Sequence, residues 1–221
     1  MYNEVCFVIY YILLMSTPVQ LAACTRALDV VFVLDSGLKI SDDNWNLVTI
    51  LLRDVTYHLH VSTYGSHVAQ VQFSGNASVV HGLDNELQVI RDRSDSLQTG
   101  RNLSNAIDIT SRLVLNNMDG DRPEVPDVIV LVTHGLADDK NSAIAEAARV
   151  KSEGIRLITV GMTSNQVDEL TEELRDIATD PDDVNNMMII SRSYYGTVYS
   201  YLVQTLCSNK VARPPTKACA W

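Results

Sequence analysis

Three short segments carry the side chains best suited to chemistry. Asp35-Ser36-Gly37-Leu38-Lys39, Thr99-Gly100-Arg101-Asn102-Leu103-Ser104 and Thr133-His134 together offer one carboxylate, several hydroxyls and the basic side chains Lys39, Arg101 and His134. If they met, Asp35, Ser36 and His134 could form a hydrolytic triad. The chain has no Gly-x-Ser-x-Gly elbow, however, and Ser36 adjoins Asp35 instead of standing in such a turn. No catalytic residue is therefore expected, and the chain is not expected to be an enzyme. Asp35 and His134 could also begin a transition-metal site. The other histidines, His58, His60, His67 and His81, fall on other segments. His58 and His60, two apart on an expected helix, point to different faces.

The elements that must position these residues are legible as alternating patterns. Leu28 to Leu34 is a nearly continuous Val-rich apolar run, as expected of a parallel strand buried on both faces. It runs into the turn formers Asp35, Ser36 and Gly37. Ser41 is a suitable N-cap for a helix whose first turn holds Asp42 and Asp43, and Trp45, Val48, Leu52, Val55 and Leu59 recur at helical spacing. His67 to Phe73 and Ala77 to His81 read as two strands joined by Ser74-Gly75-Asn76, an antiparallel pair at the sheet edge. Helix is predicted over 103–115, 141–153, 166–177 and 194–206, and strand over 127–132, 155–160 and 187–190. Strands alternating with helices of this length imply an α/β fold, a doubly wound, mostly parallel sheet with one antiparallel edge strand and helices on both faces. In such sheets ligands collect beyond the carboxyl ends of the strands, where the three polar segments lie.

With 221 residues, 46% of them hydrophobic, the chain can bury a full core. Its net charge of -10 argues against nucleic acid as a partner, because phosphate backbones are bound by clustered Lys and Arg. Residues 1–23 resemble a signal peptide: an apolar run from Val5 to Met15, too short to span a bilayer, followed by small residues that include Ala22 and Ala23. Leu21-Ala22-Ala23-Cys24 also fits a lipoprotein signal, in which Cys24 would be blocked. The expected division is a signal peptide at 1–23, one domain at 24–207 and a C-terminal tail or linker at 208–221, with no membrane span once the signal is removed. In an oxidising compartment Cys24, before the first strand, and Cys207, ending the last helix, would clasp the two ends of the domain; the alternative is that these thiols stay free. Cys219 is left over and could link chains into a disulfide-bonded oligomer. Two Asn-x-Ser sequons, at Asn76 and Asn102, fall in expected loops and are candidate N-glycosylation sites.

LDVVFVLDSGLKISDDNW resembles the opening of a von Willebrand factor A domain, the I domain of integrins. TGRNLSNAIDI, DVIVLVTHGLADD and GIRLITVGM resemble its later segments in order and spacing, and IATDP followed by YLVQTLC resembles its end, so the likeness spans about Cys24 to Cys207. It points to the extracellular-matrix type, matrilin- or collagen VI-like. It implies a secreted adhesion module whose partners are extracellular proteins such as collagen or other matrix components. The family's adhesion site is an Asp-x-Ser-x-Ser loop, a Thr and a second Asp, oxygens suited to Mg²⁺. Here Asp35 keeps the first position, Gly37 and Lys39 replace the two Ser, and His134 replaces the second Asp. Arg101 falls at the Thr, although a shift of one would place Asn102 there. One carboxylate faces several basic groups, and imidazole suits softer ions than Mg²⁺. No metal or other cofactor is therefore expected, and Lys39 is expected to serve beside Asp35 as the counter-charge; a Mg²⁺-dependent adhesion domain and an assembly unit of a longer matrix protein are the alternatives.

Overall fold

The computed structural model describes residues 24–38, 40–86, 99–116, 120–162, 167–179, 186–190 and 195–207. The expected signal segment and tail, Cys219 and Lys39 lie outside the described residues. The strands are β1 (Asp29–Asp35), β2 (His67–Phe73), β3 (Ala77–Asp84), β4 (Asp127–Thr133), β5 (Arg156–Met162) and β6 (Met187–Ile190). The helices are α1 (Asp42–His58), α2 (Leu103–Ile109), α3 (Lys140–Ser152), α4 (Val167–Ile177) and α5 (Tyr195–Cys207). The six strands form one sheet in the order β3-β2-β1-β4-β5-β6. Only β2 and β3 pair antiparallel; every other neighbouring pair is parallel, as the alternation predicts.

The apolar runs form strands because both faces of the sheet are covered. Along β1, Val30, Phe32 and Leu34 point into one core with Trp45, Leu52 and Val55 of α1 and Leu202 and Leu206 of α5. Val31 and Val33 point into the other, with Ala106 and Ile107 of α2 and Ala143, Ala147 and Val150 of α3. This period-two division explains why β1 has no polar residue between Asp29 and Asp35. Ser41 caps α1 by accepting from the Asn44 amide, and Gly154 closes α3 at φ +94°, both as the sequence predicts. Among the described residues no helix is long and apolar enough to cross a membrane.

Two elements depart from expectation. β3 runs to Asp84, three residues beyond the predicted end, as an edge strand with bulges opposite Val68, Gln70 and Val71. The helix predicted over 103–115 is α-helical only to Ile109 and continues as a π-helical turn over Thr110–Val114. The Thr110 hydroxyl donates to the Ala106 carbonyl at 2.8 Å, and the Leu115 amide reaches Thr110 O at 3.0 Å, five residues back. A side chain competing for carbonyls inside a helix favours this widened turn.

The termini of the domain are joined by a disulfide between Cys24 and Cys207, Cα atoms 4.8 Å apart and 183 residues apart in sequence. The Cys24 amide donates to His58 O at 3.2 Å, and Arg26 Nη2 donates to Leu206 O at 3.1 Å. Entry and exit of the chain thus meet at the α1 and α5 ends.

Candidate functional site

Because β1 and β4 are parallel neighbours, Asp35 and the Thr133-His134 pair emerge side by side at the carboxyl end of the sheet. The 99–102 loop is drawn over them by two backbone hydrogen bonds and one to a side-chain carboxylate. Asn102 N donates to Ser74 O at 2.8 Å, Arg101 N to Asp138 Oδ2 at 2.7 Å, and Asp138 N to Arg101 O at 3.1 Å. Gly100 takes φ +101°, and a Cβ there would meet Asp138 Oδ2 at 3.2 Å and Gly75 Cα at 3.3 Å, so the position needs glycine.

The result is a cation seated on the Asp35 carboxylate. Arg101 Nε donates to Asp35 Oδ2 at 3.1 Å, with the side chains 15% and 0% exposed. Arg101 Nη1 donates to Leu136 O at 3.1 Å, and Nη2 lies 3.1 Å from His134 Nε2. A guanidinium only donates, so in this contact His134 Nε2 is the acceptor, while Nδ1 lies 2.5 Å from Asp35 Oδ2. Thr133 Oγ1 lies 3.3 Å from the same carboxylate oxygen and 3.0 Å from Gly135 O, its two acceptors, and Gly37 N donates to Oδ1 at 3.1 Å. Gly135 completes the seat, since a Cβ there would fall 2.8 Å from Arg101 Cζ. A hollow of about 70 Å³ opens above, between Leu38, Thr99, Arg101 and His134, with Leu38 53% exposed at its rim.

The sequence singled out Asp35, Gly37, Arg101, Thr133 and His134, and the fold brings all five together. Arg101 supplies a counter-charge to Asp35; the one expected of Lys39 lies outside the described residues. Asn102 does not face the carboxylate. Its Oδ1 accepts from Asn105 N at 3.1 Å and from Ser104 Oγ at 3.3 Å, capping α2. Ser36 Oγ donates to Phe73 O at 3.2 Å, away from His134, so the three triad candidates do not form a nucleophile and base pair. Missed were Gly135, Asp138 and Asp139. Asp139 precedes α3, yet its carboxylate accepts from Leu103 N and Ser104 N at 2.9 Å each, the free amides at the start of α2. The acidic pair closing the 133–139 loop was its only sequence signal.

The residues do not fit the family's metal ion. Both oxygens of Asp35 already accept hydrogen bonds, the guanidinium lies against Oδ2, and Gly37 has no side-chain oxygen. A hard divalent cation needs several oxygens that are free to ligate.

The opposite end of β1 carries a second buried ion pair. Asp29, fully buried, accepts from Arg122 N at 2.9 Å, Nε at 3.0 Å and Nη2 at 2.5 Å. Ligand atoms of Asp29, Asp121 and Asp127 all lie within 4.8 Å of one another. Burial, then the charges of Asp121 and Asp29 and a hydrogen bond with Asp121, push Asp127 up to about 7. Its folded value lies above its unfolded one, so the folded chain binds more protons between about pH 4 and pH 7, and this group's contribution falls as pH rises through that window. Replacing Asp127 with Asn is expected to raise the melting temperature increasingly from pH 4 to pH 7 and by a constant amount above it. Parallel thermal melts across pH measure this, and a gap between variant and parent that does not depend on pH contradicts it.

Residues 29–197 match the family model of the von Willebrand factor type A domain. Matrilin-1 of Bos taurus is 30% identical over 168 residues, covering 72% of this chain and 30% of matrilin-1. The collagen alpha-4(VI) chain of Mus musculus is 28% identical over 195 residues, covering 84% of this chain and 8% of that one. The chain thus spans under a third of each of these two matrix proteins. Among solved structures, proximal thread matrix protein 1 from the mussel byssus superimposes with a TM-score of 0.74 at 19% identity, over 84% of this chain and 49% of that one. The vWF domain of a type V pili tip protein from Porphyromonas gingivalis gives 0.67 at 14%, over 84% and 96%. At those identities the likeness concerns the fold alone. With the family model spanning most of the chain and the six-stranded sheet in place, the chain belongs to the von Willebrand factor type A domain family.

Proposed function

We propose that this chain is a secreted protein-binding module of the extracellular-matrix type, and that it holds its partner without a bound metal. The observation that carries the metal-free reading is the Arg101 guanidinium on the buried Asp35 carboxylate, an internal cation at the point where the family's ion binds. Such a pair keeps the loops of the sheet top in place with no ion to lose. The partner surface centres on the exposed Leu38 and the hollow floored by Arg101 and His134. Kinship with matrilin-1 and a collagen VI chain supports a matrix protein as partner and a binding role over an enzymatic one. Collagens come first among the candidates.

The test is solid-phase binding of the secreted chain to collagens and other matrix proteins, in EDTA and in millimolar Mg²⁺. Equal binding in both is expected, with a loss of roughly tenfold or more on Leu38→Asp if that side chain anchors the contact. Binding abolished by EDTA overturns the metal-free reading. Calorimetry with Mg²⁺ or Mn²⁺ is its independent check, and a micromolar affinity would restore the metal-dependent alternative.

A further inference from the structure

The two sequons are not equivalent once folded, although both belong to the same end of the sheet. Asn76 ends the tight β2–β3 connection, where Ser74 N donates to Asn76 O at 2.9 Å; Asn76 and the sequon's Ser78 are both exposed. Asn102 is half-buried, and its side-chain oxygen caps α2. The 102–104 backbone is bonded on one side to Ser74 O and on the other to the Asp139 carboxylate. A sugar on Asn102 Nδ2 would have to pass between the hairpin tip and Asp139. The same tip is pinned from below, since Ala77 N donates to Asn105 Oδ1 at 2.9 Å.

We propose that Asn76 is an N-glycosylation site of this protein and that Asn102 is not used in the folded, released chain. The acceptor is the Asn76 amide nitrogen, which gives up one proton and forms an N-glycosidic bond to C1 of the first N-acetylglucosamine of a lipid-linked oligosaccharide, as the bond from that carbon to the lipid diphosphate breaks and the diphosphate leaves. Transfer acts on the chain as it enters the secretory lumen, before folding. A sugar at the hairpin tip then remains in solvent, whereas one at Asn102 stands in the way of the loop contacts that seat Arg101. The glycan has a second consequence. A Cβ added to Gly100, next to Arg101, would lie 3.3 Å from Gly75 Cα, so the hairpin tip runs beside that loop and a sugar on Asn76 flanks the sheet top on the β2–β3 side. Partners are left to approach from the Leu38 side.

The inference rests on the secretory reading of the chain, and the experiment separates the two. The full chain is translated with microsomes and also expressed in secreting cells; entry into the lumen is scored by protease protection and glycans by N-glycanase mass shift. One glycan is expected on the released chain, lost in Asn76→Gln and in Ser78→Ala and kept in Ser104→Ala, a variant that retains the Asn102 cap. A protected chain with no glycan, or a released chain whose single glycan survives Ser78→Ala, overturns the assignment. Two glycans on the released chain overturn the exclusion of Asn102. A chain that never becomes protected overturns the secretory reading and the glycan with it.

Discussion

Removing the Cys24–Cys207 bridge by a double Cys→Ser substitution is expected to lower the melting temperature by about 10 °C. The bridge joins residues 183 positions apart, close to the whole length of the domain, so it restricts the unfolded chain far more than it alters the folded one. Loss of a native disulfide costs about 2 to 5 kcal/mol, with longer loops toward the upper end. In a domain of this size each kcal/mol moves the midpoint by roughly 2 to 4 °C. The other contacts at these ends, the Cys24 amide to α1, Arg26 and Arg156 to the end of α5 and the core packing of Leu202 and Leu206, act only in the folded state and do not restrict the unfolded chain. Melts of the parent and the double variant, with and without reductant, measure the effect. Identical midpoints would show that the bridge contributes nothing, and peptide mapping of the unreduced parent would reveal any competing bond to Cys219.

Why the strands and most helices were legible and the ion pairs were not has a physical basis. β1, β4 and β5 are buried on both faces, so their apolar runs are set by burial alone and read directly from composition. The last part of β3 is half-exposed, and His81, Gly82 and Asp84 follow no apolar alternation, so nothing in the residues marks its end. The π-turn after Ile109 depends on one hydroxyl choosing a carbonyl, which no periodicity records. The site shows the same limit. Asp35, Arg101 and His134 stand out as polar residues at strand ends. That Arg101 serves Asp35 is a matter of topology: it is 66 residues away in the chain, and the loop held by Ser74 and Asp138 brings it over. Asp29 with Arg122, at the other end of the same strand, was invisible for the same reason.

Arg101→Ala is the most informative single change at the site. It leaves a fully buried carboxylate with a hydroxyl, a backbone amide and an imidazole as its remaining partners. Breaking a buried pair from one side costs about 3 to 5 kcal/mol, and the partial exposure of Arg101 places the expected loss near about 3 kcal/mol, or roughly 6 to 12 °C in the melting midpoint. Arg101→Lys should recover only part of this, because an ammonium cannot hold Asp35, Leu136 O and His134 in one plane. Asp35→Asn in the Arg101→Ala background should restore stability relative to the single variant, since the cost lies in the stranded charge and not in the lost contact. If the double variant is no better than Arg101→Ala, the pair is not the source of the effect. Adding Mg²⁺ decides what the guanidinium replaces. The parent should melt at the same temperature in Mg²⁺ and in EDTA, and so should Arg101→Ala, because one carboxylate and one hydroxyl do not make an octahedral site. A midpoint that rises with Mg²⁺ only in Arg101→Ala would mean that the ion site persists beneath the arginine, and that this side chain alone keeps the metal out.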